Sequence, residues 1–245
     1  MPRYFIEVAY KGTAYSGFQV QQNAVTIQSE VEKALSIYFK RTFSLTGASR
    51  TDAGVHALQN FFHFDTEEIL VDDFRKIYSL NAILPGDIVL KRIIPVEDDA
   101  HCRFDAVSRE YKYYLYADKD PFVQDRAYYF PYKTDISRLN EAASLLMKQM
   151  DFTSFSKRNT QVKNFMCSLY KSEWKVERNT LIYNVEANRF LRGMVKGLVG
   201  TMLMRGTNKI SLDEFHFIIT SKDCTKANFS VPAHALFLVK VAYNK

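Results

Sequence analysis

Hydrophobic and polar positions along the first half of the chain follow two alternating periods. Arg3–Ala9 alternates as a strand does, with Phe5 against Ile6 and Val8 against Glu7. Across residues 26–40, Ile27, Val31, Leu35 and Tyr38/Phe39 recur every three or four positions, which is one face of a helix. Thr42–Thr46 and Leu58–Phe64 are rich in aromatic and β-branched residues and predict strands. Asp72–Asn81 predicts a helix with acids in its first turn and a stop at Pro85-Gly86, and Ile88–Ile94 a strongly apolar strand. The order is β-α-β-β-α-β.

The second half repeats that order. Arg109–Ala117 predicts a strand and Ser137–Met150 a helix with Leu139, Ala142/Ala143 and Leu146 on one face. Leu169–Val176 and Leu181–Ala187 predict an antiparallel pair turning at Arg178-Asn179. Phe190–Met204 carries an apolar stripe at helical spacing. Ser211-Leu212-Asp213-Glu214 has the form of a capping box opening a further short helix, and Leu236–Tyr243 closes as a strand. The expected fold class is therefore α+β: two tandem β-α-β-β-α-β (ferredoxin-like) halves sharing a mainly antiparallel sheet with a central cleft. The division falls between residues 105 and 106, near Asp98-Asp99-Ala100-His101, and no linker or low-complexity segment marks it.

Composition narrows the class. A chain of 245 residues fits one large domain or two small ones, and a hydrophobic fraction of 47% is ordinary for a folded protein. No apolar run approaches the roughly 20 residues that span a bilayer, and the opening Met1–Glu7 lacks the apolar core of a signal peptide, so the expected location is the cytoplasm, away from membrane. Cys102, Cys167 and Cys224 are far apart and form no C-x-x-C pair, so they read as small buried hydrophobes rather than a disulfide framework or zinc site.

Charge is unevenly placed. Residues 1–105 hold 11 Lys+Arg against 14 Asp+Glu, a balance of −3; residues 106–245 hold 22 against 13, a balance of +9, for +6 in all. A basic second half suits a phosphate backbone, although many basic proteins bind no nucleic acid.

Several chemistries are absent by inspection. Gly12–Gly17 has the glycine spacing of a P-loop, but Phe18-Gln19 follows where Lys-Ser/Thr is required. There is no dinucleotide fingerprint and no G-x-S-x-G elbow. His56 is followed by Ala57-Leu58, so the zinc-deaminase signature is missing, and His56 and His63 read as structural or substrate-near rather than metal ligands. The expectation is side-chain chemistry with no metal and no cofactor.

The candidate chemistry lies in Thr46-Gly47-Ala48-Ser49-Arg50-Thr51-Asp52-Ala53-Gly54-Val55-His56, between two predicted strands. Small residues and two glycines let a backbone turn tightly and approach a ligand. On spacing alone, an acid such as Asp52 on a loop is more often a turn-former or cap.

This stretch resembles the G-R-T-D-x-G-V-H-A motif of the tRNA pseudouridine synthase A (TruA) family. Six further segments resemble that family in order: Tyr10–Gln21, Asn81–Ile88, Arg109-Glu110-Tyr111-Lys112-Tyr113, Asp151–Phe155, Phe190–Gly200 and Pro232–Leu238. The resemblance implies an isomerase that converts uridine to pseudouridine in the tRNA anticodon arm, at positions 38, 39 and/or 40, acting as a homodimer. It implies Asp52 as nucleophile, Arg50 as the residue that takes the place of the flipped nucleotide, and Tyr111 as the ring that stacks on the target base. Lys196 stands where the family has an arginine that pairs with the aspartate; the ion pair is feasible with lysine, but the bidentate fork is lost. Whether the aspartate attacks ribose or base is left open.

From the residues alone, Arg189, Arg192 and Lys196 share one predicted helix face opposite Leu191, Met194, Val195 and Leu198, which without the resemblance reads as a solvated basic face. Phe18 and Ala235 stand where the family has Trp and Gly, and residues 158–168 carry few family features. The competing reading is a catalytically weak or inactive tRNA- or RNA-binding paralogue.

Overall fold

In the computed structural model the described residues are 1–67, 70, 74–158 and 162–244. The chain is α+β, and it divides into two compact units: Met1–Val107 with Phe237–Lys245, and Ser108–Leu236. The last strand, expected with the second half, groups with the first unit.

In the first unit, β1 (Arg3–Tyr10) lies between β3 (His56–Asp65) and β4 (Ile88–Val96), antiparallel to both. The short β2 (Thr46–Gly47) pairs with β3, and β9 (Leu236–Tyr243) runs parallel to β3 through His56↔Phe237 and Ala57↔Leu238. Helix α1 (Ile27–Phe39) starts where the sequence directs. Thr26 and Ser29 form a reciprocal cap, and Ile27, Val31, Ala34 and Leu35 are buried at helical spacing. Helix α2 spans Phe74–Ile83; the expected start at Asp72 lies outside the described residues.

One expectation is corrected here. Within Thr42–Thr46 only Thr46 joins a strand. Phe43 and Leu45 are buried as strand residues would be. However, the Leu45 N–H donates to Glu32 Oε1, and the Leu45 carbonyl accepts from Gln28 Nε2. Side chains of α1 have taken the backbone groups that a ladder would have used.

In the second unit β5 (Ala106–Tyr116) pairs antiparallel with β8 (Thr180–Ala187), which pairs with β7 (Leu169–Glu177). The β7–β8 hairpin turns at Arg178 and Asn179, both at positive φ (47 and 65), the primed turn whose twist matches the strands. A short β6 (Tyr128–Tyr129), unmarked by any period in the sequence, runs parallel to the end of β5. Helix α3 covers Ile136–Leu146 and stops short of the expected Met150. Helix α5 (Leu212–Thr220) opens on the expected capping box of Ser211 and Glu214.

Helix α4 is a second correction. It spans Met194–Gly206, not Phe190–Met204. Gly193, its N-cap, sits at φ 73, a left-handed conformation that cannot continue a helix upstream. Arg189 and Arg192 therefore precede the helix and do not share a face with Lys196. Nor is α4 solvated on one side: Met194, Val195 and every residue from Gly197 to Leu203 are buried.

Candidate active site

The loop carrying Asp52 is irregular, yet fixed to the sheet of its own unit. Ala48 N–H donates to the Phe61 carbonyl. Asn60, fully buried on β3, donates from Nδ2 to the Ser49 carbonyl and to the Tyr10 hydroxyl. That hydroxyl lies 2.8 Å from Thr51 Oγ1. Phe18 N–H donates to the Thr51 carbonyl at 3.1 Å, and Val55 N–H closes a turn on the Asp52 carbonyl. His56 accepts at Nδ1 from Gly12 N–H. At Gly12 any side chain would collide with the Val55 carbonyl, so the loop and the segment after β1 touch backbone to backbone.

The result is a half-buried carboxylate on a platform whose flanking Ser49, Thr51, Val55 and His56 are all buried. Arg50 is exposed on the same loop and lines a hollow with Phe18, Gln19, Gly47, His101, Arg103 and Phe104.

Tyr111 and Lys196 belong to the second unit. Tyr111, on β5, is buried apart from an edge, and its ring meets that of Phe190 edge-to-face at 5.0 Å. Along β5, Tyr111 and Tyr113 are buried while Lys112 and Tyr114 are half-buried, an alternation that ends at Leu115 and Tyr116, both buried. Lys196 is half-buried in the first turn of α4. It lines an open cavity of about 610 Å³ together with Tyr116, Gln124, Tyr128, Tyr129, Phe229 and His234. One wall, Phe229–Pro232, is held against α4 because Gly200 leaves room for the Asn228 carbonyl, and the Tyr113 hydroxyl donates to the Pro232 carbonyl. A half-buried ammonium at the positive end of a helix, in a cavity walled by tyrosines, suits an anionic or aromatic guest. Arg50 and Asp52 are thus neighbours on one loop, while Tyr111 and Lys196 sit on separate elements of the other unit.

Cys102 and Cys167 are buried as expected, whereas Cys224 is half-buried; all are free thiols, and burial pushes the Cys167 thiol up to about 11. One cluster had no sequence signal. Ligand-type atoms of His63, His101 and Cys102 lie within 4.8 Å of one another. Protein partners already occupy this trio. Cys102 N–H donates to His63 Nδ1, the Cys102 thiol donates to the Thr46 carbonyl, and His101 Nδ1 accepts from the N–H groups of Arg103 and Phe104. Burial, then His101 and Arg3, depresses His63 to about 4, so it is neutral near pH 7.

Sequence reasoning did not single out Tyr10, Asn60 or Gly12 as supports of the loop. Tyr10 and Gly12 stand inside a segment noted for its resemblance; Asn60 interrupts an apolar strand and carries no signal of its role until its partners are seen. Among the described residues, no helix is long and apolar enough to cross a membrane.

Comparison with known proteins agrees across both units. A family described as tRNA pseudouridine synthase matches residues 6–105 and 142–244. The chain is 44% identical over 243 residues to the tRNA pseudouridine synthase A of Parabacteroides distasonis, covering 99% of this chain and 96% of that one. It is 44% identical to the tRNA pseudouridine synthase A of Porphyromonas gingivalis over 246 residues, at 99% and 98% coverage. With the protein of that name from Bacillus subtilis the identity is 37% over 241 residues, covering 97% of each.

Proposed function

This chain belongs to the tRNA pseudouridine synthase A family of isomerases, and on that premise we propose that it converts uridine to pseudouridine in the anticodon arm of tRNA, at positions 38, 39 and/or 40, with Asp52 as nucleophile. The observation that carries the reading is the Asp52 platform: a half-buried carboxylate on a loop whose backbone is bonded to buried side chains, inside the matched region.

The reaction asks little beyond this. The N1–C1′ bond of uridine breaks, the uracil turns, and C5 bonds to C1′; the C5 proton leaves and N1 gains one. No electron is gained or lost, so side chains suffice in principle. A carboxylate is an adequate nucleophile when ionised, and a free aspartate is ionised near pH 7. A base inside an RNA stem must leave the stack to be reached, at a cost of a few kcal/mol. Arg50, exposed beside Asp52, fills the space the base vacates. Tyr111 stacks on the extruded uracil, and Lys196 supplies a cation for the charge carried through the reaction. Residues 1–105 thus carry the nucleophile, and the basic residues 106–245 complete the site and bind the phosphate backbone. The working species is a homodimer in the cytoplasm.

The test uses an unmodified tRNA pool tritiated at uridine C5. The protein is expected to release tritium, with release confined to positions 38–40. An absence of release across the whole pool, with tRNA still bound, identifies an inactive RNA-binding paralogue instead.

A further inference from the structure

The hollow beside Arg50 is not needed to account for attack on the target uridine. Its volume is about 280 Å³, at the low end of ligand cavities and too small for more than one planar group. Its lining includes Arg50, two residues from Asp52, and His101, Arg103 and Phe104 of the turn after β4.

That turn holds a large ring out in water. Phe104 is 74% exposed. The backbone that carries it is nevertheless held: Phe104 N–H bonds to the His101 carbonyl, Asp105 N–H does the same at 3.0 Å, and Asp105 Oδ2 accepts from His101 N–H at 2.7 Å. Beneath, Cys102 is fully buried and the His101 ring lies 4.2 Å from that of Phe104. The Arg103 guanidinium sits 5.7 Å from the Phe104 centroid, so a cation and an aromatic plane face the same hollow. An exposed ring on a bonded turn, with the Arg103 guanidinium near it, has the chemistry of a stacking platform with a phosphate contact.

We infer that this hollow is a nucleotide subsite, in which a nucleotide next to the target uridine stacks on Phe104 while its phosphodiester meets Arg103. The inference rests on the proposed function, because the guest is a neighbour of the target in the same RNA. Arg103 and Phe104 are positioning residues: they hold the strand in register while Asp52 acts.

The test titrates an unmodified tRNA transcript onto the full-length Asp52→Ala protein, alone and with a second substitution, over a range of salt concentrations. Phe104→Ala is expected to weaken Kd roughly tenfold with the salt dependence unchanged, and Phe104→Tyr to restore it. Arg103→Ala is expected to weaken binding and to lower the slope of log Kd against log salt by about one; Arg103→Lys restores the slope. Lys33→Ala, exposed on α1 and outside the hollow, leaves binding at the parent value. Parent values of Kd and slope in Arg103→Ala and Phe104→Ala overturn the subsite, and so does an equal fall in slope for Lys33→Ala, which marks a diffuse field. Pseudouridine formation by the native protein is measured in parallel; its absence defeats the functional reading, while the binding series still decides the subsite.

Discussion

The Asp52 loop and helix α4 each hold a half-buried charged residue of the candidate site, Asp52 and Lys196, and they do so by opposite means. The loop is held by polar bonds: Asn60 to Ser49, Tyr10 to Thr51, Phe18 to Thr51 and Gly12 to His56. Helix α4 makes its own backbone bonds and is held by apolar packing, with Gly200 admitting the Asn228 carbonyl and Lys196 half-buried among buried neighbours. A loop has no internal ladder, so its geometry depends on outside groups, each costly to leave unpaired once buried. A packed helix is instead sensitive to volume. The two regions should therefore fail differently.

The largest effect tests the volume side. Gly200→Ala places a methyl against the Asn228 backbone, which cannot give way as a flexible side chain would. About 3 kcal/mol of stability should be lost in urea unfolding, whereas Gly86→Ala, with nothing within 4 Å, should stay within about 0.5 kcal/mol of native. Equal outcomes for the two would mean that α4 is not volume-limited.

Next comes the charge α4 presents. Lys196→Met keeps the stem and removes the cation, and should lower kcat about a hundredfold, or about 2.7 kcal/mol of barrier. Lys196→Arg, which restores the family residue, should retain activity. Steady-state kinetics on tRNA separates the two, and equal losses would assign Lys196 a packing role.

The polar side is tested by Asn60→Ala, which strips the Ser49 carbonyl and the Tyr10 hydroxyl of a buried donor. The expected cost is about 2 kcal/mol of stability, together with a fall in kcat because the Asp52 platform loosens. Tyr10→Phe, which removes only the bond to Thr51 and the acceptor for Asn60, should show the same pattern less strongly. A stability loss with kcat unchanged in the folded fraction would break the link between clamp and nucleophile.

The smallest effect concerns His63. Its folded pKa of about 4 lies below the unfolded value of about 6.5, so the unfolded chain binds more protons between those limits. Stability should fall as pH drops from about 6.5 to 4, by about 1–2 kcal/mol after allowance for solvent screening, and the fall should saturate below about 4. His63→Gln should remove that part of the pH dependence in parallel urea titrations.

How much could be read beforehand follows the same contrast. The α5 box at Ser211–Glu214 joins residues three apart, and the period of Ile27, Val31 and Leu35 placed α1 to within a residue. The strand expected at Thr42–Thr46 failed because Gln28 and Glu32, distant in sequence, took the Leu45 backbone groups. The start of α4 was misplaced because an apolar stripe does not show that Gly193 adopts a left-handed conformation. For the candidate site, Arg50 and Asp52 could be singled out as candidates because they share a compact motif. Asn60, Cys102 and the exposed Phe104 were not, since each takes its meaning from partners at other places in the chain.

The central claim is that Asp52, on its clamped loop, is the nucleophile. Single-turnover pseudouridine formation on unmodified tRNA, native against Asp52→Asn with Kd measured on the same samples, tests it most directly. The account predicts a rate at least about a thousandfold lower in Asp52→Asn, with Kd within about threefold of native. A variant that binds tRNA as the native protein does and still forms pseudouridine at near-native rate would contradict it.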